Sequence, residues 1–346
     1  MMLGNTCVLA QGHPILEVTT HSGNVSGLPI HWGSDAAVLL KPAGEMLFLN
    51  QREIVSHRRT RESFRPASQA AVRARMQNEL GDGYETLISG PYVIAAPRGN
   101  VNRWKTRFDS LLSGYFRYFG VRDWRLEQAD FPLQVYVLGS REQFVAYSAR
   151  NGASAAANTI GSYFPDTNVC IMYELPGLTG TDWSETEATI VHEAVHQLAF
   201  NTGVHERLFE NPLWCVEGLA TLFEEPSVYD PRASSSTVAT RINDRQAKVV
   251  EQFCRRGGKL EDALAQIVGS DDMFGSDPQL AYASAWALTF YLTERMPRQY
   301  MELMRAQQSR GFGHYPTRSR IGDFQNVVNV PMSTLSLQVK RLLSIQ

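Results

Sequence analysis

The stretch Thr189-Ile190-Val191-His192-Glu193-Ala194-Val195-His196-Gln197 decides how the rest of this chain is read. It is an H-E-x-x-H pattern set in an apolar run with helical spacing. Histidines four residues apart stand one turn above each other on a helix, so both imidazoles can meet one metal ion. Glu193 projects from the neighbouring edge of that face, where it can reach a water on the same ion. The helix has a marked start, because Ser184 with Glu187 three residues on forms a capping box, and Asn201-Thr202-Gly203 supplies its stop. This is the core of a zinc hydrolase, and it still needs a third ligand, a cleft and groups to orient the histidines.

A catalytic zinc takes three protein ligands and keeps one position open for water or substrate. The extended pattern H-E-x-x-H-x-x-G-x-x-H fails here, since its glycine and third histidine fall on Ala199 and Thr202. His205, the nearest remaining histidine, lies beyond the helix stop and is read as a surface residue. A glutamate from the next helix is the better candidate. Asn211 can cap that helix, Pro212 suits its first turn and Pro226 ends it. Glu217 stands there among Leu213, Trp214, Val216, Leu219, Leu222 and Phe223. A carboxylate in such surroundings costs free energy unless a cation compensates it, and a zinc ion does so. Glu224 and Glu225 are read as the exposed edge of the same helix, and small Gly218 and Ala220 as letting it approach the H-E-x-x-H helix.

With its Trp214-Cys215-Val216-Glu217-Gly218-Leu219-Ala220 segment, the chain resembles the gluzincin metallopeptidases, whose zinc is held by two His and one Glu. More closely, His192 to Gly203 with Pro212 to Ala220 is similar to a bacterial peptidase-MA-like family known as domain of unknown function 1570. The resemblance runs from about Pro66 to the C-terminus and takes in the strand-helix-strand entry of Tyr92 to Leu138 and the helix around Tyr282 to Leu288. It implies zinc on His192, His196 and Glu217, with Glu193 as general base and then acid. It also implies a later donor to the substrate carbonyl, for which Tyr282 is the candidate; the alternative is an ordinary core tyrosine facing Trp286. The strand Asn168 to Tyr173 takes the place of an edge strand beside the metal, able to pair with an extended peptide. Thermolysin-like relatives carry an aspartate four residues after the ligand glutamate to orient a histidine. This chain has Thr221 there, a weaker orienter, with Gln197 or Asn201 left to compensate.

The remainder of the chain fits an α+β, zincin-like architecture. Short strands between tight turns over residues 14–60 predict a small β-barrel, similar to the Sm-like barrel that some relatives carry in front. A basic run, His57-Arg58-Arg59-Thr60-Arg61, follows as a solvated linker. The catalytic domain then spans 65–346. Its α+β part, a small mixed sheet with the H-E-x-x-H helix, covers 65–203, and a mainly helical part covers 204–346. Its long helix, Val101 to Phe119, carries aromatics at core spacing.

With 33 Lys and Arg against 35 Asp and Glu, the net charge of -2 gives no field to gather nucleic acid, and no aromatic stacking set accompanies the basic run. No run is long enough to span a bilayer. Cys7, Cys170, Cys215 and Cys254 lack C-x-x-C spacing and form neither a disulfide framework nor a thiolate metal site. Residues 1–13 are either a plain disordered terminus or the tail of a signal peptide, and the second case would place the protein outside the cytoplasm. The expected function is a metallopeptidase using Zn2+ on a peptide or protein substrate. The rival reading is a catalytically weak or inactive peptidase-fold scaffold that recruits a partner through the barrel.

Overall fold

The protein is described from a computed structural model that covers residues 13–151, 159–174, 184–230 and 237–345. The candidate leader segment and the capping side chains of Ser184 and Glu187 lie outside the described residues. The chain opens with the strands β1 (Pro14–Thr20), β2 (Gly23–Trp32), β3 (Ala36–Leu40), β4 (Met46–Asn50) and β5 (Ile54–Ser63). Then come α1 (Gln69–Leu80), β6 (Tyr84–Ser89), β7 (Tyr92–Pro97), α2 (Val101–Gly120), β8 (Leu133–Leu138), α3 (Arg141–Arg150), β9 (Gly161–Phe164) and β10 (Val169–Tyr173). The helices α4 (Ser184–Ala199), α5 (Leu213–Phe223), α6 (Pro226–Tyr229), α7 (Asp244–Arg255) and α8 (Leu260–Gly269) follow. Last are α9 (Asp272–Ser276), α10 (Pro278–Arg295), α11 (Pro297–Gln308), α12 (Thr317–Val328) and α13 (Met332–Leu342). Two compact units result, residues 1–108 with 128–181, and residues 109–127 with 182–346.

The first unit holds two sheets. In one, the strands run antiparallel in the order β4-β3-β2-β1-β5. Leu16 and Val18 of β1, Ala37 and Leu39 of β3 and Leu49 of β4 make its core. Register shifts at Thr19/Thr20 and Pro29/His31 bend the strands. The bend brings Trp32, at the far end of β2, to a ring distance of 4.9 Å from His57 on β5, although β1 lies between those strands. The sheet therefore curls as a small barrel does, without a β4–β5 ladder among the described residues.

The basic run expected to be a linker is instead the edge strand β5, paired with β1 from Ile54 to Ser63. Its side chains are exposed along nearly its whole length, and Arg58 pairs with Glu17 across the ladder at 2.6 Å. Cationic side chains on an edge strand discourage pairing with a foreign sheet, so a charge run can be a strand.

The second sheet is mixed, in the order β6-β7-β8-β10-β9. Val72 and Met76 of α1 and Phe144 of α3 pack with Val93, Ala95, Tyr136, Leu138 and Ile171. Ser68 caps α1 by accepting from the Ala71 N–H at 3.2 Å. Here the resemblance misleads: β10 lies inside the sheet, parallel to β8 and antiparallel to β9. Both of its edges are occupied by neighbouring strands, so it has no free edge to offer a peptide.

The second unit is helical and built around α10. That helix is buried from Ala281 to Thr293 with Tyr282 the one partly exposed residue in the span. A helix apolar on all sides belongs in the middle of its unit. Gly218 brings α5 against it, since a Cβ there would stand 2.4 Å from Thr289 Oγ1 and 2.5 Å from the Ala285 carbonyl oxygen. Gly218 thus admits α10, not the H-E-x-x-H helix as expected.

The start of α5 also differs from expectation. Asn211 spends its side chain on the loop before it, accepting from Glu206 N–H at 3.1 Å and donating to the Glu206 carbonyl at 2.6 Å. The first N–H of α5, on Leu213, is met by Asp271 Oδ1 at 3.0 Å. Asp271 is gripped in turn by Arg320 of α12 through bonds of 2.8 and 2.9 Å, and Arg320 also reaches Glu210 at 2.6 Å. No helix among the described residues is long and apolar enough to cross a membrane.

Candidate metal centre

The apolar residues that α4 buries, among those described, are Ile190, Val191, Ala194, Val195, Leu198 and Ala199. Its two histidines turn to α5 and meet Glu217. His192 Nε2 lies 3.1 Å and His196 Nε2 3.6 Å from the same oxygen, Glu217 Oε2. The imidazoles are 4.7 Å apart and nearly perpendicular, at 86°. One ligand atom from each of the three residues falls within 4.8 Å of the other two. Ligand atoms on a tetrahedral zinc with bonds of about 2.0–2.1 Å stand about 3.3 Å apart. The two His–Glu separations bracket that value, so the donor set fits such an ion.

The electrostatics fit as well. Burial works against the Glu217 carboxylate, but His196 and His192 hold it well below the usual carboxylate range. Burial likewise opposes charge on His192, and the hydrogen bonds to Glu217 and Glu224 outweigh it, holding the ring well above the usual histidine range. A pocket that draws one carboxylate and two imidazoles together in this way is suited to a cation.

Glu224 is where the sequence reading fails most usefully. Expected on an exposed edge, it is largely buried at the end of α5, and its Oε1 lies 2.9 Å from His192 Nδ1. Its Oε2 is 3.4 Å from the amide nitrogen of Asn243, the residue that caps α7. Thr221 does not take the orienting part assigned to it; its buried hydroxyl makes no hydrogen bond among the described residues. Asn201 closes the end of α4 by donating to the Gln197 carbonyl at 2.8 Å. Glu225 caps the short α6, accepting from Ser227 N–H at 3.5 Å.

His205 is not a surface residue. It is buried next to Phe200, with ring centroids 5.3 Å apart, and neither ring nitrogen has a hydrogen-bond partner among the described residues. Gly203, at φ +76°, turns the chain out of α4 and the His205 N–H folds back onto the Ala199 carbonyl at 2.9 Å.

Tyr282 comes to the site rather than to Trp286, which stacks on Phe290 at 5.5 Å. Its ring lies 6.4 Å from that of His192 and packs edge-on against Phe274. Burial first, then Glu217 and the other nearby carboxylates, push its hydroxyl far above the usual tyrosine range, so it stays protonated.

The family model for a protein of unknown function, DUF1570, matches residues 186–311. That span contains His192, Glu193, His196, Glu217, Glu224, Asn243 and Tyr282. No curated protein matches the chain significantly. Among solved structures the chain is similar to the ZmpB metallopeptidase from Clostridium perfringens, with 12% identity, a TM-score of 0.38, and 98% of this chain and 70% of that chain covered. It is also similar to the catalytic module of the metalloprotease ZmpA from Clostridium perfringens, with 11% identity, a TM-score of 0.33, and 99% and 68% covered. At these scores the folds are only loosely alike, and neither likeness assigns a function to this chain.

Proposed function

We infer that the protein is a zinc-dependent peptidase that hydrolyses peptide bonds with water. One observation carries the reading: His192, His196 and Glu217 converge from two helices with their ligand atoms within 4.8 Å, and Glu193 is fixed in sequence between the two histidines. A zinc ion held by these three residues would supply Lewis acidity toward a water and a peptide carbonyl. Glu193 serves as general base, taking the proton of the attacking water and handing it to the leaving amine. Tyr282, kept protonated by its surroundings, offers a hydroxyl to the oxyanion that develops on the substrate. Both roles place the group that moves a proton, or donates one in a hydrogen bond, on a helix rather than on a loop, which favours fixed geometry.

The test pairs metal analysis with peptide-library hydrolysis. Wild type is expected to hold one zinc and to cleave; Glu193→Gln is expected to keep the zinc and lose at least about 100-fold in rate. Glu217→Ala is expected to lose the zinc. Stoichiometric zinc with cleavage indifferent to Glu193 would overturn the enzyme reading in favour of a metal-bound scaffold.

A further inference from the structure

We propose that Glu224 is the positioning carboxylate of His192 and that Asn243 steadies it, forming a line from the metal ligands to the start of α7. The inference rests on the zinc reading above. Glu217 and Glu224 are seven residues apart, two turns of helix, so both carboxylates leave α5 on nearly the same side. One meets His192 at Nε2, 3.1 Å away, and the other meets the same ring at Nδ1, 2.9 Å away. An ionised carboxylate can only accept, so the Nδ1 facing Glu224 carries the proton. By the same rule Nε2, facing the Glu217 carboxylate, carries a proton as well while no cation is bound. A cation replacing that proton would leave Nδ1–H on Glu224 and the Nε2 lone pair toward the metal, the tautomer a ligand histidine needs.

The orientation of Asn243 follows by the same accounting. Its Oδ1 accepts from the Gln246 N–H at 3.2 Å to cap α7, which leaves its amide N–H2 to face Glu224 Oε2 at 3.4 Å. His196 has no equivalent, since its Nδ1 is buried without a hydrogen-bond partner among the described residues. Orientation of the ligand pair therefore leans on one carboxylate, at a position no aspartate-after-glutamate rule would indicate.

Zinc competition against a chromophoric chelator tests this in purified wild type, Glu224→Ala, Glu224→Gln, Asn243→Ala and Thr221→Ala. Glu224→Ala is expected to weaken zinc binding by about 10- to 100-fold, the range seen when such partners are removed. Glu224→Gln, which keeps the shape and an acceptor but not the charge, is expected to lose less and to shift the visible spectrum of the cobalt(II)-substituted protein. It also carries the test if the alanine variant does not fold. Asn243→Ala is expected to weaken binding less than Glu224→Ala, and Thr221→Ala to leave it unchanged. Equal zinc affinity in wild type and both Glu224 variants would overturn the positioning role while leaving the zinc site standing. Wild type that binds no zinc would overturn the zinc reading itself.

Discussion

His205 is a neutral ring whose effect on stability appears only in acid. Burial, then the nearby charge of His196, pushes its pKa down to about 3, whereas an unfolded histidine titrates near 6.5. Below that upper value the unfolded chain binds a proton that the folded one refuses. Folding stability must then fall by about 1.4 kcal/mol for each pH unit of acidification, until the folded pKa is reached. Replacing the ring with an aliphatic group removes this dependence. In urea titrations run with excess chelator, the stability of His205→Leu relative to wild type is expected to improve by about that amount per unit between pH 6 and 5. Parallel pH profiles for the two proteins would show that the ring is charged or solvated after all. Nothing in the sequence indicated such burial, because a histidine beyond a helix stop ordinarily faces water. Glu224 was hidden for a related reason: an acidic residue next to another, at the end of a helix, looks solvated. Its seven-residue spacing from Glu217 was the available signal. That His192, His196 and Glu217 come together was legible, because metal chemistry restricts both residue type and spacing.

At the scale of elements, α5 and α10 meet in a close backbone approach at Gly218. Alanine there drives a methyl into a backbone carbonyl that cannot move without moving α10. Gly218→Ala is expected to destabilise by about 1–3 kcal/mol, the range for overpacking, despite the better helix propensity of alanine. Chemical denaturation measures it directly, and a neutral or stabilising result would mean the two helices are farther apart. Strong periodicity made α2 readable from the chain alone, and long apolar runs closed by Pro226 and Pro297 did the same for α5 and α10. β5 was not, since a strand whose side chains nearly all face water loses the alternation that marks strands. β6 alternates only over Tyr84 and Thr86 before the pattern breaks at exposed Ile88 and buried Ser89, so no strand period announces it. α12 escaped because its few buried residues include an arginine, Arg320, where a core position would ordinarily be apolar.

At the scale of the whole molecule, each unit has its own core, and every residue assigned to the candidate centre belongs to the helical one. Arg320 with Asp271 and Glu210 is an internal ion pair of the helical unit, enclosed on the arginine side. Arg320→Met is expected to cost on the order of 2–3 kcal/mol, short of the cost for a wholly buried pair because both carboxylates keep some access to water. A melting point unchanged from wild type would contradict this. The same contact bears on how the protein can be taken apart. The segment that matches a known family stops at residue 311, with every metal-facing side chain inside it. The guanidinium that holds Asp271 against the first turn of α5 comes from residue 320, outside that segment. The recognisable part of the chain is thus not a portable one: excised at its own borders, it would keep the ligands and lose the brace that sets the angle of the helix carrying Glu217.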